Sequence, residues 1–335
     1  MDRRAFIKTT AVVASAPLLN SCSRSDIEVI GSLPVSSFDK HSTAEQVTAG
    51  IDLKGKIIVV TGCNSGIGFE TMRVLAMRGA HVIGTGRTMD KAGKACAAIT
   101  GNTTPVMLEL SDFQSVVDCA EVIGAMVPHI DVVIGNAGMI AGDELEQVNG
   151  IEKTFAVNHL GHFIFINRLL KLIQAAAQGR VVMVSSSAAF RAGGIEFDNL
   201  SGERDYNSRR WYGQSKLANA LFSLELADRL SATSATSNAL HPGVIKTNIA
   251  RNQAWYVRTL FDTFGGLFTK SMAQGAATTC YLAGSPQLAA VSGYFFADCK
   301  PITLSSSNHL YDKAMAAKLW TVSEQLTAKY LVRNT

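Results

Sequence analysis

Seven short runs of apolar and β-branched residues, at 57–60, 81–84, 104–109, 130–135, 180–185, 237–240 and 293–296, recur along the chain with amphipathic stretches between them. A strand that alternates apolar with polar residues is covered on one face; a run that is apolar throughout must be covered on both. Strands of that kind separated by helical patterns belong to a parallel sheet whose crossovers lie on either side. The expected fold is α/β, a doubly wound parallel sheet in three α/β/α layers, as a single domain. A chain of 335 residues, 47% hydrophobic, can bury such a core without metals or disulfides. No short internal repeat is visible. Charged residues make up 17%, and of the net charge of +4 the first 21 residues carry +2, from Arg3, Arg4 and Lys8 against Asp2. The remainder offers no basic surface for a nucleic acid, so no such partner is expected.

Residues 1–22 read as an export signal: Arg3-Arg4 precede an apolar run at 11–19, and Leu19-Asn20-Ser21-Cys22 is similar to a lipoprotein cleavage box. The run is about half the length of a bilayer-spanning helix. A twin-arginine route to the periplasm or cell envelope is therefore expected, with lipid anchoring at Cys22 as a further option; a cytoplasmic location follows if the leader is not functional. Asp2, where Ser or Thr is usual, and the bulky Asn20 depart from those patterns. Residues 23–50, rich in Ser and Thr with little periodicity, read as a tether or surface arm, and 51–335 as the folded domain. Cys63, Cys96, Cys119, Cys280 and Cys299 show no metal-ligand spacing and read as ordinary thiols, with no metal expected.

The first strand runs into Thr61-Gly62-Cys63-Asn64-Ser65-Gly66-Ile67-Gly68 and then an amphipathic helical stretch. Glycines at a strand-to-helix turn let the backbone approach a pyrophosphate, whose charge is met by the free N–H groups of the helix start. The spacing G-x-x-x-G-x-G differs from the common G-x-G-x-x-G, and a plain tight turn is the competing explanation. The second strand ends in Arg87, where an acidic residue would bind the ribose of NAD; a guanidinium fork suits a 2′-phosphate instead. NADP is the expected cofactor, NAD the lesser alternative, in a Rossmann-like site.

Tyr212 and Lys216 stand one turn apart on a helical pattern, where an ammonium beside a phenol favours phenolate and so lowers the tyrosine pKa. With 7 tyrosines in the chain, chance alone provides roughly 0.4 such pairs, so the neighbouring motifs must decide. They are Asn136-Ala137-Gly138 after the fourth strand, Asn158 within Val157-Asn158-His159-Leu160-Gly161-His162-Phe163, Ser185-Ser186-Ser187 at a strand end, and His241-Pro242-Gly243 after the sixth strand. In this order and together with the glycine turn, these segments resemble the short-chain dehydrogenase/reductase family over residues 53–300. The wording of the motifs is most similar to its retinol-dehydrogenase and WW-domain-oxidoreductase branch.

The resemblance implies roles. Tyr212 is the general acid/base, and Lys216 binds the nicotinamide ribose and depresses the Tyr212 pKa. Ser186 hydrogen-bonds the substrate carbonyl, with Ser185 and Ser187 as the alternatives one register away, and Asn158 holds a water that links Lys216 to solvent. The dinucleotide is held by Gly62, Asn64, Ser65, Gly66, Ile67, Gly68, Arg87, Glu109, Asn136, Ala137, Gly138, Tyr212, Lys216, Pro242, Gly243 and Thr247. Gly135 stands where the family commonly has Asn, and Glu109 where it commonly has Asp. His159, His162 and His241 are expected to pack or place the cofactor rather than bind metal. Trp255, Tyr256, Phe261, Phe264 and Phe268 are candidates for a lid or for core packing. The implied function is an oxidoreductase that passes a hydride between NADP and a carbonyl or alcohol of an apolar small molecule, in a chain that could form a homo-oligomer. Reduction of an activated carbon–carbon double bond and a non-catalytic NADP-binding envelope protein are the rivals.

Overall fold

The computed structural model describes residues 26–245, 270–305 and 308–332. The leader with Arg3, Arg4 and Cys22, as well as Thr247 and the aromatic residues from Trp255 to Phe268, lies outside them.

Among the described residues nine strands form one sheet: β1 (Ile27–Val29), β2 (Ile57–Val60), β3 (His81–Gly86), β4 (Thr103–Met107), β5 (Val132–Gly135), β8 (Arg180–Val184), β9 (Thr236–His241), β10 (Phe295–Ala297) and β11 (Lys300–Leu304), while β6 (Gln147–Val148) and β7 (Ile151–Glu152) make a separate two-stranded ribbon. The order across the large sheet is β1-β11-β10-β9-β8-β5-β2-β3-β4. From β4 to β10 every pairing is parallel, and β11 and β1 add antiparallel at one edge. Alternate residues of each central strand enter opposite cores. Val59, Val133, Val181 and Met183 pack with the helices Phe113–Met126, Gly161–Ala175, Ser208–Arg229 and Lys313–Leu331. Ile58, Val60, Ile134 and Val182 pack with Gly66–Met77, Met89–Ala97 and Ala277–Gly284. The two-sided burial expected of continuous apolar strands is thus present on both faces.

The arm is less peripheral than its composition implies. Ile27–Val29 pairs with Leu304–Ile302, the Ile30 amide donates to the Pro301 carbonyl at 3.0 Å, and a capping box of Thr43 and Gln46 starts the short helix Ala44–Val47, whose Ala44 and Val47 are buried. Polar sequence conceals the few apolar residues that dock it.

The chain reverses its winding between β2 and β5, which lie side by side in the parallel part of the sheet. A crevice opens at their carboxyl ends, as it does at the switch point of any doubly wound sheet. The glycine turn, Asn136, Ser186 and Pro242 each follow one of the strands that end there.

Candidate active site

The glycine turn is fixed by its neighbours rather than by its own contacts. Gly62 and Gly66 have φ of +67° and +63°, a region that an L side chain enters only at a cost. Gly68 lies in the helix, and a Cβ there would stand 2.3 Å from the Gly62 oxygen and 2.5 Å from Asn136 Nδ2. Thr61 Oγ1 accepts from the Asn136 and Ala137 amides at 2.9 Å each, and Asn136 Nδ2 donates to the Thr61 carbonyl at 2.8 Å. The Asn136-Ala137 turn is thereby knitted to the glycine turn. Ser65 caps the helix Gly66–Met77 without a side-chain bond, and Asn64 and Ser65 are exposed, so amides at the helix start face the crevice. Ile67 instead packs against the core.

Arg87 is exposed just beyond β3. Glu109, past the end of β4, accepts from the Ser111 amide and hydroxyl at 3.0 and 2.8 Å through one carboxylate oxygen. Pro242 is buried beyond β9, and Gly243, with φ of +97°, abuts the Lys270 side chain, which pairs with Asp298 at 2.6 Å.

The reactive groups converge from three elements. Tyr212 and Lys216 come from the helix Ser208–Arg229, which starts on an Asn207 cap, and Ser186 follows β8. The three serines of this run stand in different surroundings. Ser185 is buried and donates to the Lys216 carbonyl at 2.6 Å, and Ser187 offers its backbone amide to His241 Nδ1 at 3.0 Å. Ser186 faces the phenol of Tyr212, where its hydrogen bond draws the phenol pKa down.

That bond does not decide the tyrosine's pKa. Burial, the larger effect, holds the phenol above its ordinary value. The Lys216 ammonium, expected from sequence to lower that pKa, stands close by. The ammonium lies 5.8 Å from the ring centroid and donates to the Val184 carbonyl at 3.0 Å. Lys216 is itself 1% exposed, and burial brings its pKa down to about 8.

Asn158 is held through both atoms of its amide. It sits in a π-helical turn, Ala156–Leu160, a geometry that recurs at functional sites. Its Nδ2 donates to the Met139 carbonyl and to Ser215 Oγ at 2.9 and 3.0 Å, and its Oδ1 accepts from the Met139 amide at 2.8 Å. Both amide protons are committed, so the side chain acts as a strut, and a water could approach only acceptor atoms.

Sequence reasoning gave Thr61 and His162 no specific task, yet they tie the halves of the site together. His162 is buried; its Nδ1 meets the Asn158 carbonyl and its Nε2 meets Thr61 Oγ1, both at 2.9 Å. A carbonyl only accepts, so Nδ1 carries the proton and the Thr61 hydroxyl donates to Nε2. The spacing of His162 four residues after Asn158, on one helical face, was the available signal. Burial holds the pKa of His162 down to about 4 and that of His159, bonded to Ser323 at 2.8 Å among aromatic rings, to about 3. The packing role expected for these histidines fits both.

The residues present suit a bound dinucleotide. A Cβ on Gly138 would fall 3.0 Å from Lys216 Nζ and 3.4 Å from Asn158 Oδ1, so only a glycine lets the backbone come this close to the ammonium. A glycine-lined turn, an open helix N-terminus and this close approach follow strands that end on one side of the sheet. The family model for short chain dehydrogenases matches residues 56–255. The chain belongs to the short-chain dehydrogenase/reductase family. Members of this family bind NAD or NADP, and the chain is an oxidoreductase of that family. It is 40% identical over 307 residues to a WW domain-containing oxidoreductase of Pongo abelii, covering 88% of this chain and 73% of that protein. To human retinol dehydrogenase 14 it is 37% identical over 292 residues, covering 81% and 86%. A crystal structure of an uncharacterised protein from Mycobacterium Paratuberculosis superposes with a TM-score of 0.68 at 33% identity, covering 84% of this chain and 97% of that one. The single-domain dehydrogenase fold expected from the strand pattern is therefore established.

Proposed function

We propose that this dehydrogenase interconverts a carbonyl and an alcohol on an apolar small molecule with NADP as its cofactor. The observation that carries the reading is the convergence of Ser186 on the Tyr212 phenol beside the Lys216 ammonium, which lies close against Gly138. When bound, a reduced nicotinamide would supply the hydride for the carbonyl carbon. Ser186 donates to the carbonyl oxygen as negative charge grows on it, and Tyr212 delivers the proton that completes the alcohol. Burial keeps the phenol protonated near neutral pH, the form that a reduction consumes. Lys216 orients the ribose through the two ammonium protons not given to Val184. The Met139 and Ser215 bonds of Asn158 hold the floor of this arrangement.

NADP is supported over NAD by Arg87, exposed at the end of β3 with no competing ion pair among the described residues. An apolar substrate is supported by the name of the retinol dehydrogenase relative, whose alcohol lies on a hydrocarbon framework. Tyr212→Phe tests the assignment: the ring still packs while the proton donor is gone, so cofactor affinity and melting temperature should persist as turnover of an identified carbonyl falls at least about 10²-fold. Near-normal turnover by the phenylalanine variant would refute the acid role.

A further inference from the structure

Two thiols that the dehydrogenase chemistry leaves unused meet at the glycine turn. Cys63 belongs to that turn, and Cys96 lies in the last turn of the helix Met89–Ala97, which follows Arg87. Gly84 of β3 makes the meeting possible: a Cβ there would stand 2.7 Å from Cys63 Sγ, 3.2 Å from Cys96 Sγ and 2.5 Å from Met72 Sδ, so the sulfurs converge on the space its side chain would fill. Burial pushes a thiol pKa up, as it does for Cys119 and Cys299, both to about 12, and for Cys280. Cys96 goes the other way. Its hydrogen bond with the Cys63 thiol outweighs burial and holds it below the ordinary thiol range, while the same bond, with burial, holds Cys63 above its own. Cys63 Sγ donates to the Thr85 carbonyl at 3.2 Å, which only accepts, so the proton of the pair stays on Cys63.

A thiolate with a second thiol beside it is the arrangement that a small oxidant converts to a disulfide. Cys96 keeps 4% exposure near the end of a nine-residue helix, so it meets the oxidant first, and Cys63, fully buried, resolves it. We propose that Cys63 and Cys96 form a peroxide-sensitive dithiol whose disulfide ties the glycine turn to the helix Met89–Ala97 and weakens cofactor binding. The Cys96 thiolate attacks one oxygen of hydrogen peroxide; the O–O bond breaks, Cys96 becomes a sulfenic acid, and the departing hydroxide takes a proton to become water. The Cys63 sulfur then attacks the Cys96 sulfur, the S–O bond breaks, and the hydroxide leaves with the Cys63 proton as a second water. Two thiols lose two electrons, and one peroxide is reduced to two waters. A disulfide holds its sulfurs about 2.05 Å apart, well inside non-bonded contact, so closure draws Cys63 toward the helix. Its neighbour Gly62 packs so closely on Ala137 that a Cβ would stand 2.9 Å from the Ala137 Cβ, and that contact must open as the turn is drawn away. The effect on the cofactor rests on the cofactor reading above; the disulfide itself does not.

The test exposes the reduced full chain to hydrogen peroxide, blocks the remaining thiols by alkylation and maps tryptic peptides by mass spectrometry, with NADPH fluorescence titration of the same samples. A peptide pair linked through Cys63 and Cys96 should accumulate while Cys119, Cys280 and Cys299 stay alkylated. The NADPH dissociation constant should rise at least about 10-fold on oxidation and return after dithiothreitol, because the turn that faces the pyrophosphate has been displaced and released. Cys96→Ala should bind NADPH like the reduced wild type and keep that affinity after peroxide; Cys96→Ser serves if the alanine variant folds poorly. Absence of the linked pair, or oxidation of all five thiols to the same extent, would overturn the dithiol. A linked pair with unchanged NADPH affinity would overturn its hold on the cofactor turn. Failure of the reduced wild type to bind any nicotinamide dinucleotide would overturn the cofactor reading, while the peptide map would still decide the disulfide.

Discussion

Consider a methyl group added at Gly68. In a helix interior alanine is favoured over glycine by about 1 kcal/mol, so propensity alone predicts a more stable protein. The contacts predict the opposite. The new carbon would stand 2.3 Å from the Gly62 oxygen and 2.5 Å from Asn136 Nδ2, and neither can swing away, since one is backbone and the other donates to the Thr61 carbonyl at 2.8 Å. Overpacking costs about 1–3 kcal/mol and a carbonyl stripped of its donor about 1–3 more. After the helix gain is deducted, Gly68→Ala should lose roughly 3 kcal/mol, with an uncertainty of about 2 either way. With an unfolding entropy near 2.1 cal/mol/K per residue, that lowers the melting temperature by about 4 °C. NADPH affinity should fall at least about 10-fold, because the displaced turn is the one that faces the pyrophosphate. Gly66→Ala is the control: it has nothing within 4 Å but a φ of +63°, so it should cost only about 1–2 kcal/mol of backbone strain. Scanning calorimetry and fluorescence titration of the two variants decide the matter. A Gly68→Ala protein that melts at or above wild type and binds NADPH unchanged would refute the steric argument.

Arg87→Ala should remove a charge-assisted contact of about 1.5–3 kcal/mol and shrink the preference for NADP over NAD by roughly 10- to 150-fold; equal affinities for the two cofactors in the wild type would exclude its phosphate role. Acid should destabilise the free protein through its buried histidines. Burial lowers the pKa of His159 to about 3 and of His162 and His241 to about 4. The unfolded chain therefore takes up protons from about pH 6.5 downward while the folded chain does not, and stability is lost as pH falls from 6.5 toward 4. Urea midpoints should drop between pH 7 and pH 5, less steeply in His159→Gln, and identical slopes for that variant and wild type would contradict the assignment.

Much of this architecture is written in local pattern. The strand at 57–60 appears with the expected limits because Ile57 to Val60 are apolar without a break, and Tyr212 and Lys216 share a helical face by spacing alone. What local pattern hides is pairing. β11 contains Pro301, which argues against a strand, yet it lies between β10 and β1 because its neighbours supply the bonds. β1 has three residues and gains its identity only from Leu304, Thr303 and Ile302 opposite it. Local pattern likewise does not show that the Ser185 hydroxyl is bonded to a distant helix, or that Met139 and Ser215 brace Asn158. One-turn spacing says that an ammonium is near the phenol but not that it also donates to the Val184 carbonyl.

The seam between β1 and β11 also bears on when the sheet can be finished. Val29 leaves the ribosome early, but its partner Ile302 follows only after almost the whole domain, and at about 5–20 residues per second the interval is roughly 15 to 55 s. During that time the parallel strands from β2 to β9 can assemble in order, with β9 at the open edge until β10 and β11 follow one after the other. Closure of the sheet's open edge is thus among the last events of synthesis, and a chain halted before β11 would present the Phe295–Ala297 strand unpaired, the kind of edge along which one nascent chain recruits another.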